Sequence, residues 1–126
     1  PAADLASFSA GMAYLNMKDY NAAIEYLNDF SSDDILLSAL AKGAIGDAYA
    51  QLDQSDQALN YYTQAIKASE NAYTSPKYLF KAGLLSSALD KNSQALSYFK
   101  RIKNDYPTSE EASQVEIQIG RLENLN

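Results

Sequence analysis

The side chains able to do chemistry here are few in type. The sequence has no His, no Cys and no Trp. That removes the Ser-His-Asp triad, the thiol nucleophile and the all-Cys or Cys-His zinc sites. Carboxylates remain, and two adjacent pairs stand out, Asp33-Asp34 and Glu110-Glu111. Neither has the spacing of a calcium loop or of two carboxylates facing each other across a cleft. Both sit where a helix would begin, and there a negative charge complements the helix dipole. Tyr73 and Lys77 have the spacing of a dehydrogenase proton-relay couple. No Gly-rich phosphate loop accompanies them, and Ser75-Pro76 interrupts the helix they would share. The chain therefore reads as non-enzymatic, with no cofactor and no metal.

Charge and composition narrow the partners. The 126 residues are 47% apolar and carry a net charge of −6, enough apolar material for a core within one domain. Residues 1–66 hold two basic and nine acidic side chains, whereas residues 67–103 hold seven basic and two acidic. The acidic balance argues against nucleic acid, which needs a basic footprint to meet phosphates. No apolar run reaches the roughly 18–20 residues of a spanning helix, so this segment is not expected to insert in a membrane. The start, Pro1-Ala2-Ala3-Asp4 without Met, reads as a piece of a longer protein, with any targeting segment or anchor upstream.

The chain repeats itself. Gly11, Gly46 and Gly83 recur at spacings of 35 and 37, and so do Ala23, Ala58 and Ala95. An aliphatic residue follows each Ala (Ile24, Leu59, Leu96), and four residues past it stands Leu27, Tyr62 or Phe99. Tyr26, Tyr61 and Tyr98 share one further slot, Tyr14 and Tyr49 another. Ala58, Leu59, Tyr62, Ala65 and Ile66 form one stripe of a 3.6-residue period, so the second half of each unit is an amphipathic helix. Glycine within a helix costs about 1 kcal/mol relative to Ala, which makes sense where two helices approach closely.

Start signals divide the units into helices over 4–17, 20–30, 33–52, 55–70, 76–89, 92–105 and 109–124. Asp19, Ser55 and Asn92 are expected N-caps, Ser75 caps a helix whose first residue is Pro76, and Thr108-Ser109-Glu110-Glu111 is a capping box. No strand signal and no linker interrupt the pattern, so the fold class is all-α.

These residues resemble the tetratricopeptide repeat, whose pattern is a small residue, an aromatic three later, a turn, Ala-aliphatic, a bulky residue and a terminal Pro. Gly11-x-x-Tyr14, Lys18-Asp19-Tyr20, Ala23-Ile24 and Leu27 are similar to one repeat, over 4–37. Gly46-x-x-Tyr49, Ala58-Leu59, Tyr62 and Ala65 are similar to a second, over 39–72, and Gly83, Ala95-Leu96, Phe99, Ile102 and Pro107 to a third, over 76–109. Ser86 departs from the pattern at the aromatic slot, and the first two repeats lack the terminal Pro. The resemblance implies a right-handed α-α solenoid of three hairpins with a C-terminal capping helix over 109–124, in one domain.

It also implies a function: a protein-interaction module in which the first helix of each repeat lines a groove for a peptide or partner helix. Carried over slot by slot, the groove positions are Leu5, Phe8, Met12 and Leu15, then Leu40, Gly43, Asp47 and Ala50, then Lys77, Phe80, Lys81 and Leu84. Lys77 and Lys81 match the third-repeat part of the family's clamp for a chaperone C-terminal carboxylate. Phe8, Met12 and Ala44 fill the remaining clamp slots and cannot donate hydrogen bonds, so that ligand is not expected. An apolar peptide with an acidic or carboxylate end suits the slots better; both Lys also read as an ordinary solvated face.

The segment Asp105–Ala112 is similar to a Tyr-Pro turn of bacterial cell-envelope repeat proteins, which implies a periplasmic location and an upstream anchor. It reads equally as Pro ending one helix and Thr108 capping the next, which any compartment permits. The first helix carries a second apolar face, Ala6, Ala10, Ala13, Tyr14 and Met17. An absent upstream helix, a partner or a second copy would cover it, so a segment of a larger solenoid or a homo-oligomer is the alternative reading.

Overall fold

A computed structural model describes residues 2–125, with side chains from Asp4 onward. Among the described residues it contains seven helices and no strand: α1 (Ala2–Asn16), α2 (Tyr20–Asp29), α3 (Ile35–Gln51), α4 (Ser55–Ala68), α5 (Ser75–Ala88), α6 (Asn92–Asp105) and α7 (Ala112–Glu123). The chain divides into two compact units, residues 1–69 with α1–α4 and residues 70–126 with α5–α7. The first unit is two hairpins, α1/α2 and α3/α4, packed together; the second is the hairpin α5/α6 with α7 against α6.

Each hairpin closes by the same main-chain device. Lys18, Asp53 and Asp90 have φ of 65°, 59° and 61°, the left-handed conformation that ends a helix in a Schellman motif. The next residue's N–H reaches back to the carbonyl of Tyr14, Tyr49 or Ser86 at 2.9, 2.9 and 2.8 Å. That residue (Asp19, Gln54 or Lys91) is also the N-cap of the second helix. Asp19 caps as expected, its carboxylate accepting from Ala22 N–H at 3.2 Å. Ser55 and Asn92 do not cap. They are the first residues of α4 and α6, and the cap positions, Gln54 and Lys91, make no side-chain cap bond.

Two other starts are also displaced. Ser75 is the first residue of α5, and its hydroxyl accepts from Asn71 N–H at 2.9 Å. The Asn71 Oδ1 in turn accepts from the N–H groups of Tyr73 and Thr74 at 2.8 and 2.7 Å. At α7 the expected capping box does not form: the helix begins at Ala112, its cap position Glu111 makes no side-chain cap bond, and Ser109 Oγ accepts from Ala112 N–H at 3.1 Å in the turn before it. Asp34 caps α3, accepting from the N–H groups of Leu36 and Leu37 at 2.9 and 3.1 Å.

The repeated Gly is a steric seat. A Cβ at Gly11 would lie 2.5 Å from Leu27 Cγ, at Gly46 2.7 Å from Tyr62 Cδ1, and at Gly83 2.5 Å from Phe99 Cε1. Each bulky side chain is buried against the glycine sixteen residues before it, so the two columns of the repeat are two halves of one contact. The stripe Ala58, Leu59, Tyr62, Ala65 and Ile66 is buried throughout, as its spacing requires.

The aromatic slots pair as well. Tyr14 stacks on Tyr26 at 5.2 Å and Tyr49 on Tyr61 at 5.5 Å between ring centroids. In the third hairpin Ser86 stands in place of the first Tyr, and its buried hydroxyl has no hydrogen-bond partner.

Candidate functional site

The groove slots fall on α1 and α3 in the first unit and on α5 in the second, and their burial is uneven. On α1, Leu5 is 52% exposed, while Phe8, Met12 and Leu15 are half-buried against a cluster of Leu27, Ala41, Ala44 and Ile45. Phe8 also meets Phe30, with ring centroids 5.1 Å apart. The small side chains of α3 let the large ones of α1 close in, so this stripe belongs partly to the core. Leu40 and Ala50 are half-buried and Gly43 is buried. Asp47 is half-buried, and its carboxylate accepts from the Tyr62 hydroxyl at 2.7 Å. Leu5 also borders a cleft of about 640 Å³ with Asp4 and the Phe30–Asp34 loop.

On α5, Lys77, Phe80, Lys81 and Leu84 follow one another at helical spacings of three, one and three, and so share a face. Lys77 is exposed, with its ammonium 5.4 Å from the Tyr78 ring centroid; Leu84 is 41% exposed. Lys81 is half-buried, and Phe80 is half-buried with its ring 5.8 Å from that of Phe99. Lys77 lies in the first turn of α5, where no acidic residue stands. Its charge therefore adds to the positive end of the helix dipole, and Lys81 places a second cation one turn on. The exposed positions of this face are Lys77 and Leu84.

No metal-binding group of His, Cys, Asp or Glu occurs among the described residues, and no described helix is long and apolar enough to cross a membrane. Of the Tyr residues outside the repeat columns, Tyr73 is exposed, whereas Tyr78 is buried and half-buried Tyr106 ends α6. Tyr78 was not legible as core from the repeat: it stands five residues before Gly83, and the matching positions are buried at Ala41 but exposed at Ala6. Nor was the Asp47–Tyr62 bond, because nothing local links residues on different helices.

The comparisons agree with this architecture. A tetratricopeptide repeat model matches residues 6–30 and 39–71, and a second tetratricopeptide repeat model matches 77–109. Among solved structures, the chain is similar to the first such domain of Spaghetti (RPAP3) bound to the HSP90 peptide SRMEEVD. The TM-score is 0.75 at 18% identity, covering 98% of this chain and 93% of that one. The Arabidopsis OM64 domain is similar at a TM-score of 0.73 and 19% identity, covering 95% and 96%. The TPR2B domain of yeast Sti1, in a complex with pHsp70, is similar at 0.78 and 12% identity over 100% of both. At these identities the likeness is one of fold. No curated protein sequence matches the chain.

Proposed function

Because the chain belongs to the tetratricopeptide repeat family, we propose that it is a protein-interaction module that holds a peptide segment of a partner on the first helices of its repeats. The α5 face carries this reading: two cations one turn apart, beside exposed Leu84. Its occupant is an extended segment with an Asp or Glu against Lys77 and Lys81 and an apolar side chain against Leu84 and Phe80. Two neighbours support a peptide ligand, one holding an HSP90 peptide and the other a complex with pHsp70. Phe8, Met12 and Ala44 supply no donors, so a C-terminal carboxylate is not required of the ligand.

An array of ten-residue peptides probed with the protein tests this. Binders enriched in acidic-apolar pairs are expected, their affinity falling as salt rises. Lys77→Glu with Lys81→Glu should remove that preference at unchanged helical content. Binding indifferent to both lysines refutes the reading.

A second reading, contact with further repeats through the first helix, is supported by Met17 of its second face, which follows α1 and is 65% exposed, and by Leu5 of the groove stripe, 52% exposed. It predicts concentration-dependent mass in light scattering, lost in Leu5→Ser with Met17→Ser. A periplasmic setting rests on the Asp105–Ala112 segment alone and is tested by fractionating cells that express the full-length protein.

A further inference from the structure

The face presented by α5 extends one turn beyond the helix's first residue. Ser75 N–H bonds the Asn71 carbonyl at 3.1 Å, the four-residue step of an α-helix. Asn71 Oδ1 accepts from Tyr73 and Thr74 N–H at 2.8 and 2.7 Å, as an N-cap side chain does. Asn71 therefore caps a turn that leads into α5, and Pro76, which has no N–H, interrupts the ladder between the two. Thr74, Ser75 and Pro76 are buried and hold this turn in place. Tyr73, in the middle of it, is 81% exposed. At 3.6 residues per turn, Tyr73, Lys77, Phe80 and Leu84 fall within about 60° of one another around the axis. A Tyr ring left in solvent on a fixed backbone is a large contact that loses little conformational entropy when a ligand covers it.

We propose that Tyr73 is a second apolar anchor of the peptide site on α5, and that the partner segment it serves is apolar at both ends with an acidic residue between. Charge selects the acid. Lys77 is exposed and, among the described residues, its ammonium meets only the Tyr78 ring. Glu70, the one carboxylate before it in the unit, is paired with Arg101. Distance sets the pattern. Tyr73 and Leu84 are about 16 Å apart along the axis, and Lys77 is about 6 Å from the Tyr73 end. An extended peptide rises about 3.3 Å per residue, so it joins the two anchors in about five steps and meets Lys77 after about two. The segment thus carries an apolar residue on Tyr73, an Asp or Glu two positions away and a second apolar residue three beyond that, on Leu84 and Phe80. This rests on the α5 face being the peptide site, and the experiment separates the two.

The probe is an array of capped ten-residue peptides of Gly and Ser, carrying one Glu and either one or two Leu at every spacing, and the whole chain is bound to it. Peptides with two Leu at the two-and-three spacing should bind at least about tenfold better than those with one. Tyr73→Ala should lose this gain, bind the one-Leu peptides as the wild type does, and melt at the same temperature, because the side chain lies in solvent. Tyr73→Phe should keep the gain. A wild type indifferent to the second Leu, a preference for another spacing, or a gain that survives in Tyr73→Ala overturns the anchor and leaves the α5 site standing. No binding by the wild type, or binding to acidic peptides unchanged in Lys77→Glu, overturns the site and the anchor with it.

Discussion

Replacing a helical glycine by alanine is ordinarily stabilising, and this fold predicts that the sign reverses at one glycine and holds at another. In a helix interior Gly→Ala contributes about 1 kcal/mol of stability. Gly120→Ala should deliver most of that, since its Cβ meets nothing within 4 Å. Gly46→Ala gains the same term and loses a larger one. Its Cβ would stand 2.7 Å from both Cδ1 and Cε1 of Tyr62 and 3.3 Å from the Ala58 carbonyl oxygen. The ring is 4% exposed, and its hydroxyl is tied to Asp47 at 2.7 Å, so it cannot swing aside without breaking that bond. Either the overpacking stays, at about 1–3 kcal/mol, or the ring moves and a hydrogen bond to a charged group is lost, at about 1.5–3 kcal/mol; less the gain of about 1 kcal/mol, the variant should be destabilised by up to about 2 kcal/mol net.

Gly11→Ala should also be destabilised, because its Cβ would stand 2.5 Å from Cγ of buried Leu27 and 3.3 Å from the Leu27 backbone nitrogen. Urea unfolding followed by far-ultraviolet circular dichroism measures all three. In a double-mutant cycle, Tyr62→Ala should relieve part of the Gly46→Ala cost, since it removes the ring that the added Cβ meets. A Gly46→Ala protein as stable as Gly120→Ala would refute the seat and leave the repeated glycines unexplained.

The helix caps divide by hydrogen bonding. Asp34→Ala and Asp19→Ala should each cost about 0.5–2 kcal/mol, whereas Ser55→Ala and Asn92→Ala should be near neutral in the same urea titration. Equal costs across the four would return Ser55 and Asn92 to the cap positions. Ser86→Ala removes a buried hydroxyl that has no partner, so it should be neutral or stabilising by up to about 1–3 kcal/mol. A loss of stability there would reveal a partner for the hydroxyl. Alkaline pH should destabilise the second unit. Burial raises Tyr98, against opposing contributions from Gln94 and Arg101, and the Glu116 hydrogen bond and charge raise Lys103. Both groups hold protons more tightly folded than unfolded. Their contributions are therefore complete below the ordinary values of 10.0 and 10.5 and fade as pH rises through the folded ones. Melting temperature should fall above about pH 10, less so in Tyr98→Phe, and a flat profile to about pH 11 would count against both assignments.

What could be read from the sequence, and what could not, follows from how each feature is encoded. The seat was legible because it is steric: only Gly fits under Leu27, Tyr62 and Phe99, so both columns recur at the repeat period. The turns were not, because their closure lies in the main chain. Lys18, Asp53 and Asp90 share a left-handed backbone yet no side-chain type, and that hid the caps one residue upstream, at Gln54 and Lys91. The faces of α1 and α5 were legible as stripes. Their burial was not, since it depends on how large the neighbouring helix is. Phe8 and Met12 sink toward the Ala-rich α3, and Phe80 leans on Phe99, while Lys77 and Leu84 stay in solvent. A change at Phe80 therefore tests packing and binding together. Charge reversal at Lys77 tests binding, because its solvated ammonium contributes little to the fold.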